Sequence, residues 1–560
     1  MPKHRLSPEP LPATKRHHGF LSQRTTSKPL LSFDSALHDE LILLIFSFLS
    51  WSDLCIIQPT NHLWARLAAD NQLWKNEYMH EYRCLRLRGS RGFILPRKDG
   101  REIKPLSRHG KYKAGEESLI NWKWMFRISA NWRRGRCEVE ESSIPSLNKS
   151  SLEKGSRSCA LLAGQLTITS VAEQLQSPLI YLNQRDSPPY ILKGKHRTNS
   201  PTYVTTLSLD QSPPAISSGE RKVRLAAFYD TGEFSIFLVD HDHPQRSHRL
   251  LAYFPQRSER TTPIRQAVYY HPLLVTLSQS FHLSIYNCSD DNVVHTQTLT
   301  SFTSFHPTSM VLTSGKLNYR LVISYSSPVY PQHWSVAVTV LTISSPLTSQ
   351  APPSLIPGEH IPEIVSPYTV ISTRTIRSHD VPLGWIDEKA MRLVREQWGR
   401  KVARVADTQT DGKWVVLAPS DKSPGPPRGS SSQTYFGSSI GTTACALQLY
   451  RLQIPSPPSG AAPRLTFVRM LYGHTGPVSA LALADGRCVS LGTDGSIWVW
   501  DLERAWGAEV QAPCRPPSVL TDEYLYSGDD GVEPLGAVVF DERRIVTSDN
   551  YGIECRRFDV

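Results

Sequence analysis

A histidine, a serine and an aspartate stand close together near the C-terminal end of this 560-residue chain, at His474, Ser490 and Asp494. A histidine that is oriented by an aspartate can take the proton of a serine hydroxyl, so these residue types could perform nucleophilic catalysis. Their spacing, however, follows short strand-like runs, VSALAL, RCVSL and SIWVWD, which are joined by aspartate–glycine turns. This alternation is typical of β-hairpins. We therefore predict a structural role for the three side chains and no catalytic residue.

No other pattern in the sequence indicates a cofactor or a metal. The sequence contains no P-loop, no GxGxxG and no HExxH. The nine cysteines are scattered without a CxxC pair, which predicts reduced thiols, no zinc site and no disulfide framework. The longest apolar run, Leu41–Leu49, is too short to span a membrane, and the N-terminus lacks the apolar segment of a signal peptide. We expect a protein of the cytoplasm, the nucleus or both.

The basic charge of the chain is concentrated near its N-terminus. The formal net charge is +11, and residues 1–150 account for +10 of it. Residues 83–136 contain 16 basic and 4 acidic side chains. Such a segment could face an acidic partner or nucleic acid, or it could be a solvated connector. Because no nucleic-acid-binding module is recognisable elsewhere, the connector is favoured and nucleic acid is not the expected partner.

Residues 35–82 are short and unusually apolar, and such a segment rarely builds a sufficient core alone. Its pattern predicts three short helices. The first covers Leu41–Leu49, and the second is capped by Ser52 or Asp53. Pro59 ends the second helix because it has no backbone N–H, and a third follows over about 60–70. The leftover apolar surface needs a cover, either from this chain or from another protein.

The same segment resembles an F-box. The pattern LxxELxxxIFSFLSxxDL is followed by LW and by LAxDxxLWK. In that family the helices dock on the Skp adaptor of cullin–RING ubiquitin ligases. The resemblance implies that eight residues either contact the adaptor or form the F-box core behind the docking surface: Leu37, Leu41, Leu44, Ile45, Leu49, Leu54, Trp64 and Trp74.

An aromatic-rich run, SLINWKWMFRISANWRRGRC, follows the basic connector. Its apolar residues recur at helical spacing, which predicts a buried amphipathic helix. Asn131–Gly135 is similar to the segment that enters the propeller in F-box proteins with WD repeats. We interpret the aromatic cluster as core and not as a binding site.

The clearest repeat in the C-terminal part covers Arg464–Leu502. Gly473-His474 at its head and Trp500-Asp501 at its end resemble a WD repeat. The resemblance implies a buried polar tetrad of His474, Ser490, Asp494 and Trp500. In this arrangement the aspartate orients the imidazole, whose other nitrogen meets the serine hydroxyl, and the indole N–H donates to the same hydroxyl.

One such repeat cannot bury its own faces, so further repeats are expected. Six degenerate units are visible, which makes seven in total, and a small helix is expected within 387–402. The excess length falls in Pro-, Ser- and Gly-rich insertions around 183–202, 210–222, 348–386, 418–441 and 503–531.

The predicted fold class is therefore multidomain, α followed by all-β: a three-helix F-box, a helical linker and a WD-repeat-like β-propeller with seven blades and long disordered insertions. The predicted domains are a disordered basic tail (1–31), the F-box (32–82), a basic linker that ends in the aromatic helix (83–136) and the propeller (137–560).

This organisation predicts a non-catalytic substrate-recognition subunit of an SCF (Skp–cullin–F-box) ubiquitin ligase. The F-box would bind the Skp adaptor, and through it the cullin–RING ligase, while the propeller would bind a protein substrate. The alternative is a propeller scaffold outside the ligase, whose F-box binds an adaptor without a cullin.

Overall fold

The structure is a computed structural model. It describes residues 37–82, 121–141, 158–171, 177–185, 187–195, 197, 201–212, 222–241, 243–255, 262–289, 292–315, 318–329, 333–344, 368–379, 387–420, 445–455, 462–484, 486–514, 536–549 and 552–560. The predicted tail at 1–31, most of the basic linker and most of the residues in the predicted insertions lie outside these residues. The predicted insertions at 183–202, 348–386 and 503–531 were wrong in part, because they contain the strands Tyr190–Lys193, Val370–Arg377 and Trp506–Gln511, which pair within the propeller. None of the helices described in these ranges has the length and apolar character to cross a membrane.

The chain divides into two compact units, Met1–Glu77 and Tyr78–Val560, which are described separately. Over 37–82 the helices are α1 (Asp39–Phe46), α2 (Trp51–Ile57), α3 (His62–Leu67) and α4 (Asn71–Glu81). The division between the units falls within α4.

The capping residues fix these helix bounds. The Ser50 side chain accepts the Asp53 N–H at 3.3 Å, and Asn61 accepts the Trp64 N–H at 2.7 Å. The predicted cap of the second helix, Ser52 or Asp53, was therefore wrong, since Ser50 caps it and the helix begins at Trp51. The expected end before Pro59 is confirmed. A fourth helix, α4, was not counted because its polar residues obscured the apolar spacing.

The C-terminal unit contains a seven-bladed β-propeller, which confirms the predicted sequence of helices followed by all-β structure. Its described residues form seven four-stranded antiparallel sheets. Before the first blade come α5 (Trp122–Arg134) and β1 (Glu138–Glu141). Blade 1 consists of β2 (Ser158–Ala163), β3 (Leu166–Val171), β4 (Leu179–Asn183) and β5 (Tyr190–Lys193). Blade 2 consists of β6 (Val204–Leu209), β7 (Lys222–Tyr229), β8 (Phe234–Asp240) and β9 (His248–Tyr253).

The next blades carry the longest strands of the propeller. Blade 3 consists of β10 (Ile264–Tyr270), β11 (Leu273–Ser278), β12 (His282–Ser289) and β13 (Asn292–Thr300). Blade 4 consists of β14 (Phe305–Ser314), β15 (Asn318–Val329), β16 (His333–Ser344) and β17 (Val370–Arg377). The helix α6 (Glu388–Trp398) then confirms the helix expected within 387–402.

Blades 5 to 7 complete the ring. Blade 5 consists of β18 (Val405–Thr410), β19 (Trp414–Pro419), β20 (Leu447–Gln453) and β21 (Arg464–Leu471). Blade 6 consists of β22 (Val478–Ala484), β23 (Arg487–Gly492), β24 (Ile497–Asp501) and β25 (Trp506–Gln511). Blade 7 consists of β26 (Ala537–Phe540), β27 (Arg544–Asp549), β28 (Gly552–Arg557) and β1. The repeat over Arg464–Leu502 therefore spans two blades, because its first strand is the outer strand of blade 5.

The ring closes because β1, which precedes blade 1 in sequence, is the outer strand of blade 7. It pairs antiparallel with β28, with Glu138 opposite Arg557. Blade 7 is then linked to blade 1 by the half-buried Arg544, whose guanidinium donates to the carbonyls of Gly164 (3.0 Å) and Leu166 (3.1 Å). The Asp541 carboxylate lies 3.2 Å from the same guanidinium and compensates its charge.

The aromatic helix α5 packs on blade 7, which confirms that its aromatic residues are core. The Trp132 ring stacks on Phe558 with centroids 3.9 Å apart, and its Nε1 donates to the Glu542 carbonyl at 2.8 Å. Gly135 ends the helix with a left-handed φ of 66°. A Cβ there would lie 2.1 Å from the Glu509 carbonyl oxygen, so glycine is also required by the close approach.

We predict that Arg544→Met lowers the free energy of unfolding of the propeller by about 3 kcal/mol. The substitution removes the donor to the carbonyls of Gly164, Gln165 and Leu166 and leaves the buried Asp541 carboxylate without its cation. Chemical denaturation of the full-length protein measures the effect. The matched control, Arg246→Met at an exposed position on blade 2, should change stability by less than about 0.5 kcal/mol. Equal unfolding midpoints for the two variants would contradict this role of Arg544.

Candidate functional site

An exposed apolar face on α1, α2 and the turn between them is the most prominent surface feature of the N-terminal unit. Leu44 is 56% exposed, Phe48 83% and Ile56 68%. Leu41 and Ile45 are exposed beside them. We call these five residues, Leu41, Leu44, Ile45, Phe48 and Ile56, the apolar face.

The apolar face exists because α1 is apolar on nearly all its sides. Ile42 and Phe46, four residues apart, point inward and are buried. Phe46 packs edge-on against Trp64, with ring centroids 5.7 Å apart. The inward stripe is therefore complete without Leu41, Leu44 and Ile45, which remain in water. A helix that is apolar all round is normally covered on both sides.

The structure sorts the eight residues that the F-box resemblance singled out. Leu41, Leu44 and Ile45 lie on the apolar face. Leu54 and Trp74 are buried, and the Trp74 indole N–H donates to the Ala68 carbonyl at 2.8 Å. The other three, Leu37, Leu49 and Trp64, are half-buried. Leu41, Leu44 and Ile45 are therefore accessible to a partner, whereas Leu54 and Trp74 belong to the core. A docking role for the first three stays a prediction.

Two members of the apolar face were missed as site residues. Phe48 and Ile56 are apolar positions of the same segment, but their exposure depends on where α1 ends and α2 begins. Ser50, which caps α2, lies in the turn between the two helices and sets the residue at which α2 begins. The sequence signal that could have identified Phe48 and Ile56 is that neither belongs to the set of inward-facing residues Ile42, Phe46 and Leu54.

The four residues of the predicted tetrad lie at blade 6: His474 in the link that leads into it, Ser490 on β23, Asp494 in the next turn and Trp500 on β24. His474 Nε2 lies 2.6 Å from Ser490 Oγ, and the Trp500 indole N–H donates to the same oxygen at 2.9 Å. His474 Nδ1 lies 2.9 Å from the hydroxyl of Ser496, which sequence analysis missed. Asp494 instead accepts the Ser496 N–H at 2.9 Å. The expected direct contact between Asp494 and the imidazole was therefore wrong in detail, because Ser496 stands between them.

This arrangement keeps the imidazole neutral and the serine inaccessible. Burial lowers the pKa of His474 from 6.5 to about 4, although the nearby Asp494 carboxylate acts in the opposite direction. Ser490 is fully buried. Because the Trp500 indole N–H donates to the Ser490 oxygen, the Ser490 hydroxyl donates its own hydrogen bond to the imidazole of His474. The polar groups thus satisfy one another inside the blade.

A second buried carboxylate links blade 5 to blade 6. Asp407 Oδ2 accepts the Leu481 N–H at 2.7 Å. Burial raises the pKa of Asp407 to about 6. Among the described residues, no cluster of three or more histidine, cysteine, aspartate or glutamate side chains is arranged to hold a metal ion.

Comparison with known proteins places the apolar face in a known domain type. Residues 36–80 match the F-box-like family. The probable E3 ubiquitin ligase complex SCF subunit sconB of Arthroderma benhamiae is 30% identical over 132 residues, which are 21% of this chain and 20% of that protein. The protein of the same description from Trichophyton verrucosum has the same identity and coverage. The chain thus spans about a fifth of the length of the curated relatives it matches.

Solved structures show weaker likenesses. The computationally designed Ika8 protein has a TM-score of 0.34 and 11% identity, and the match covers 71% of this chain and 95% of that one. Saccharomyces cerevisiae Sqt1 has a TM-score of 0.33 and 10% identity, with 70% and 81% coverage. TM-scores this low do not define a fold, whereas the seven sheets of the chain itself do.

The family match and the sheets together define the organisation of the chain. It combines an F-box-like segment at residues 36–80 with a C-terminal seven-bladed β-propeller.

We predict that acidification destabilises the propeller through His474. Because its pKa is about 4 in the folded state and 6.5 in the unfolded state, stability is fully present above pH 6.5. It falls as the pH decreases toward 4, by about 2 kcal/mol between pH 7 and pH 5. Asp407 has the opposite effect on stability. Because its pKa is raised to about 6 in the folded state, protonation of Asp407 stabilises the folded protein as the pH falls below 6.

The test therefore compares the pH dependence of the unfolding free energy between two proteins. Urea unfolding of the wild type and of His474→Gln, at pH 7 and at pH 5, isolates the contribution of His474. The variant should be less stable at pH 7 and should lose less stability on acidification than the wild type. An identical pH dependence in both proteins would contradict the buried neutral imidazole.

Proposed function

We propose that this chain is the substrate-recognition subunit of an SCF-type E3 ubiquitin ligase. The apolar face docks the Skp adaptor, which connects the chain to the cullin–RING ligase, and the propeller binds a protein substrate. The subunit acts by proximity, because it raises the effective concentration of substrate lysines near the ubiquitin-loaded enzyme. It performs no chemical step itself.

The apolar face is the observation that carries this proposal. Five large apolar side chains in water on two short helices and the turn between them are costly, and each gains up to about 1.5–3 kcal/mol when it is fully covered. Leu41, Ile45 and Phe48 of the apolar face stand at specified positions of the F-box pattern, and residues 36–80 match the F-box-like family. An adaptor surface is the cover that this combination favours.

The names of the relatives support the ligase over other assemblies. The similar proteins of Arthroderma benhamiae and Trichophyton verrucosum carry the description of an SCF subunit. The eight cysteines within the described ranges are free. This supports a reducing compartment, and we propose the cytoplasm or the nucleus.

We predict that Leu41→Asp combined with Leu44→Asp abolishes co-purification of the Skp adaptor and the cullin with the full-length protein. Both side chains are exposed, so the unit still folds, but a docked partner would bury two unpaired carboxylates. Adaptor recovery should fall at least tenfold, measured by quantitative mass spectrometry of affinity-purified complexes. The matched control is Leu250→Asp, an exposed leucine on blade 2, which should retain both partners.

The outcomes separate the alternatives. Adaptor without cullin in the wild-type sample would favour a scaffold outside the ligase. Full adaptor recovery with the Leu41 and Leu44 double variant would refute the docking surface. The buried Leu54→Asp variant should lose the adaptor through unfolding of the helices, which circular dichroism distinguishes from loss of a contact.

A further inference from the structure

One face of the propeller carries an exposed patch of aromatic and basic residues that the adaptor docking does not use. In each blade the strands alternate in direction, so the link into a blade and the turn between its second and third strands lie on the same face. Phe302 lies in the link from blade 3 to blade 4, Trp334 at the start of β16, and α6 in the link from blade 4 to blade 5. These three elements therefore share one face.

Direct contacts join the three elements. The Phe305 ring lies edge-on to Trp334, with centroids 5.3 Å apart. Trp334 and Val402 exchange backbone hydrogen bonds of 2.7 and 2.9 Å. Val402 follows the last residue of α6, Trp398, by four residues. Phe302 precedes Phe305 by three residues, in the link that leads to these contacts.

The helix α6 is fixed to the propeller by one side. Its Ala390, Val394 and Trp398 are half-buried, and the Trp398 ring packs edge-on against His379 with centroids 4.7 Å apart. Immediately after the helix, the Arg400 carbonyl accepts the Gln448 side-chain N–H at 2.8 Å. The opposite side of α6 is thereby presented to solvent in a defined orientation.

The solvent side of α6 carries charged residues with an apolar residue in their middle. Lys389, Arg392 and Arg395 are exposed, as are Glu388 and Glu396, and Leu393 is 51% exposed. The helix therefore has a net charge of +1, and three further cations, Arg400, Lys401 and Arg404, follow it in sequence. Phe302, at the other end of the patch, is 91% exposed. We define the aromatic–basic patch as Phe302, Phe305, Trp334, Lys389, Arg392, Leu393 and Arg395.

We propose that the aromatic–basic patch binds an acidic peptide segment that carries an aromatic or aliphatic anchor. Exposed aromatic and arginine residues are the side chains that most often dominate binding energy at protein interfaces. Lysine and arginine pair with the carboxylates of aspartate and glutamate, and the six cations against two glutamates over residues 388–404 favour acidic over basic partners.

This inference rests on the proposed function, since the peptide would belong to the substrate that the propeller presents. It adds the chemical class of that substrate segment and the residues that read it. Single-stranded RNA is the other polymer that aromatic and basic side chains can bind. Acidic peptide is favoured because the exposed apolar Leu393 suits a side-chain anchor.

A peptide-display selection tests the proposal. A library of random, unphosphorylated 12-residue peptides is selected on the full-length wild-type protein and on a Phe302→Ser, Arg392→Glu, Arg395→Glu triple variant. The wild type should enrich sequences with aspartate or glutamate around an aromatic or aliphatic residue. A synthetic peptide of the enriched sequence should bind the triple variant at least tenfold more weakly in fluorescence anisotropy.

The matched control replaces exposed residues of the same types elsewhere, Leu250→Ser with Arg246→Glu on blade 2, and should bind within twofold of the wild type. Enrichment of uncharged or basic sequences, absence of any enrichment, or equal binding to the triple variant would overturn the proposal. So would salt-dependent binding of poly(U) that the triple variant loses. Adaptor co-purification from the triple variant should be unchanged, which separates failure of this proposal from failure of the ligase assignment.

Discussion

The pairing of β1 with β28 is the interaction on which the C-terminal unit depends. Each four-stranded blade leaves both faces apolar, and only a closed ring covers every face. Closure requires that blade 7 take its outer strand from the segment before blade 1. The Arg544 guanidinium then bridges blade 7 to the carbonyls at the first turn of blade 1. Because α5 packs on Phe558 at the same place, the segment that leads into the propeller is held by the closed ring itself.

A propeller that closes its own core has consequences for the exposed surfaces. The seven blades bury their apolar side chains within and between sheets, so the side chains that stay in water call for a different explanation. In the N-terminal unit these are the five residues of the apolar face, and in the propeller they include Phe302 and Leu393. The first group is purely apolar and suits a permanent partner. The second is mixed with arginine and lysine and suits a partner that exchanges.

Much of this organisation could be predicted from the sequence, for identifiable physical reasons. Turn residues between alternating apolar runs predict hairpins locally, and the chain length beyond Cys137 limits the number of blades. The F-box helices could be predicted because their apolar residues and Pro59 act within a few residues of one another. The domain boundaries at residues 32, 83 and 137 stay predictions, since most of the tail and linker lies outside the described residues.

The features that could not be predicted depend on tertiary contacts. Leu44 and Leu54 are both leucines in one apolar segment, yet one is exposed and the other is buried, because this depends on the packing of α1 against α2 and α3. Ser496 takes the position expected for Asp494 because the turn before β24 places its hydroxyl toward His474. The joining of Phe305, Trp334 and Val402 depends on a bridge between residues that are distant in sequence.

Site-specific photo-crosslinking from the apolar face tests the central claim most directly. Phe48, the most exposed residue of that face, is replaced by p-benzoyl-L-phenylalanine in the full-length protein, and Leu250 on blade 2 is replaced in a parallel control. The account predicts that irradiation in cells links position 48, but not position 250, to the Skp adaptor. A position-48 adduct with other proteins only, or no adduct at all, would contradict it.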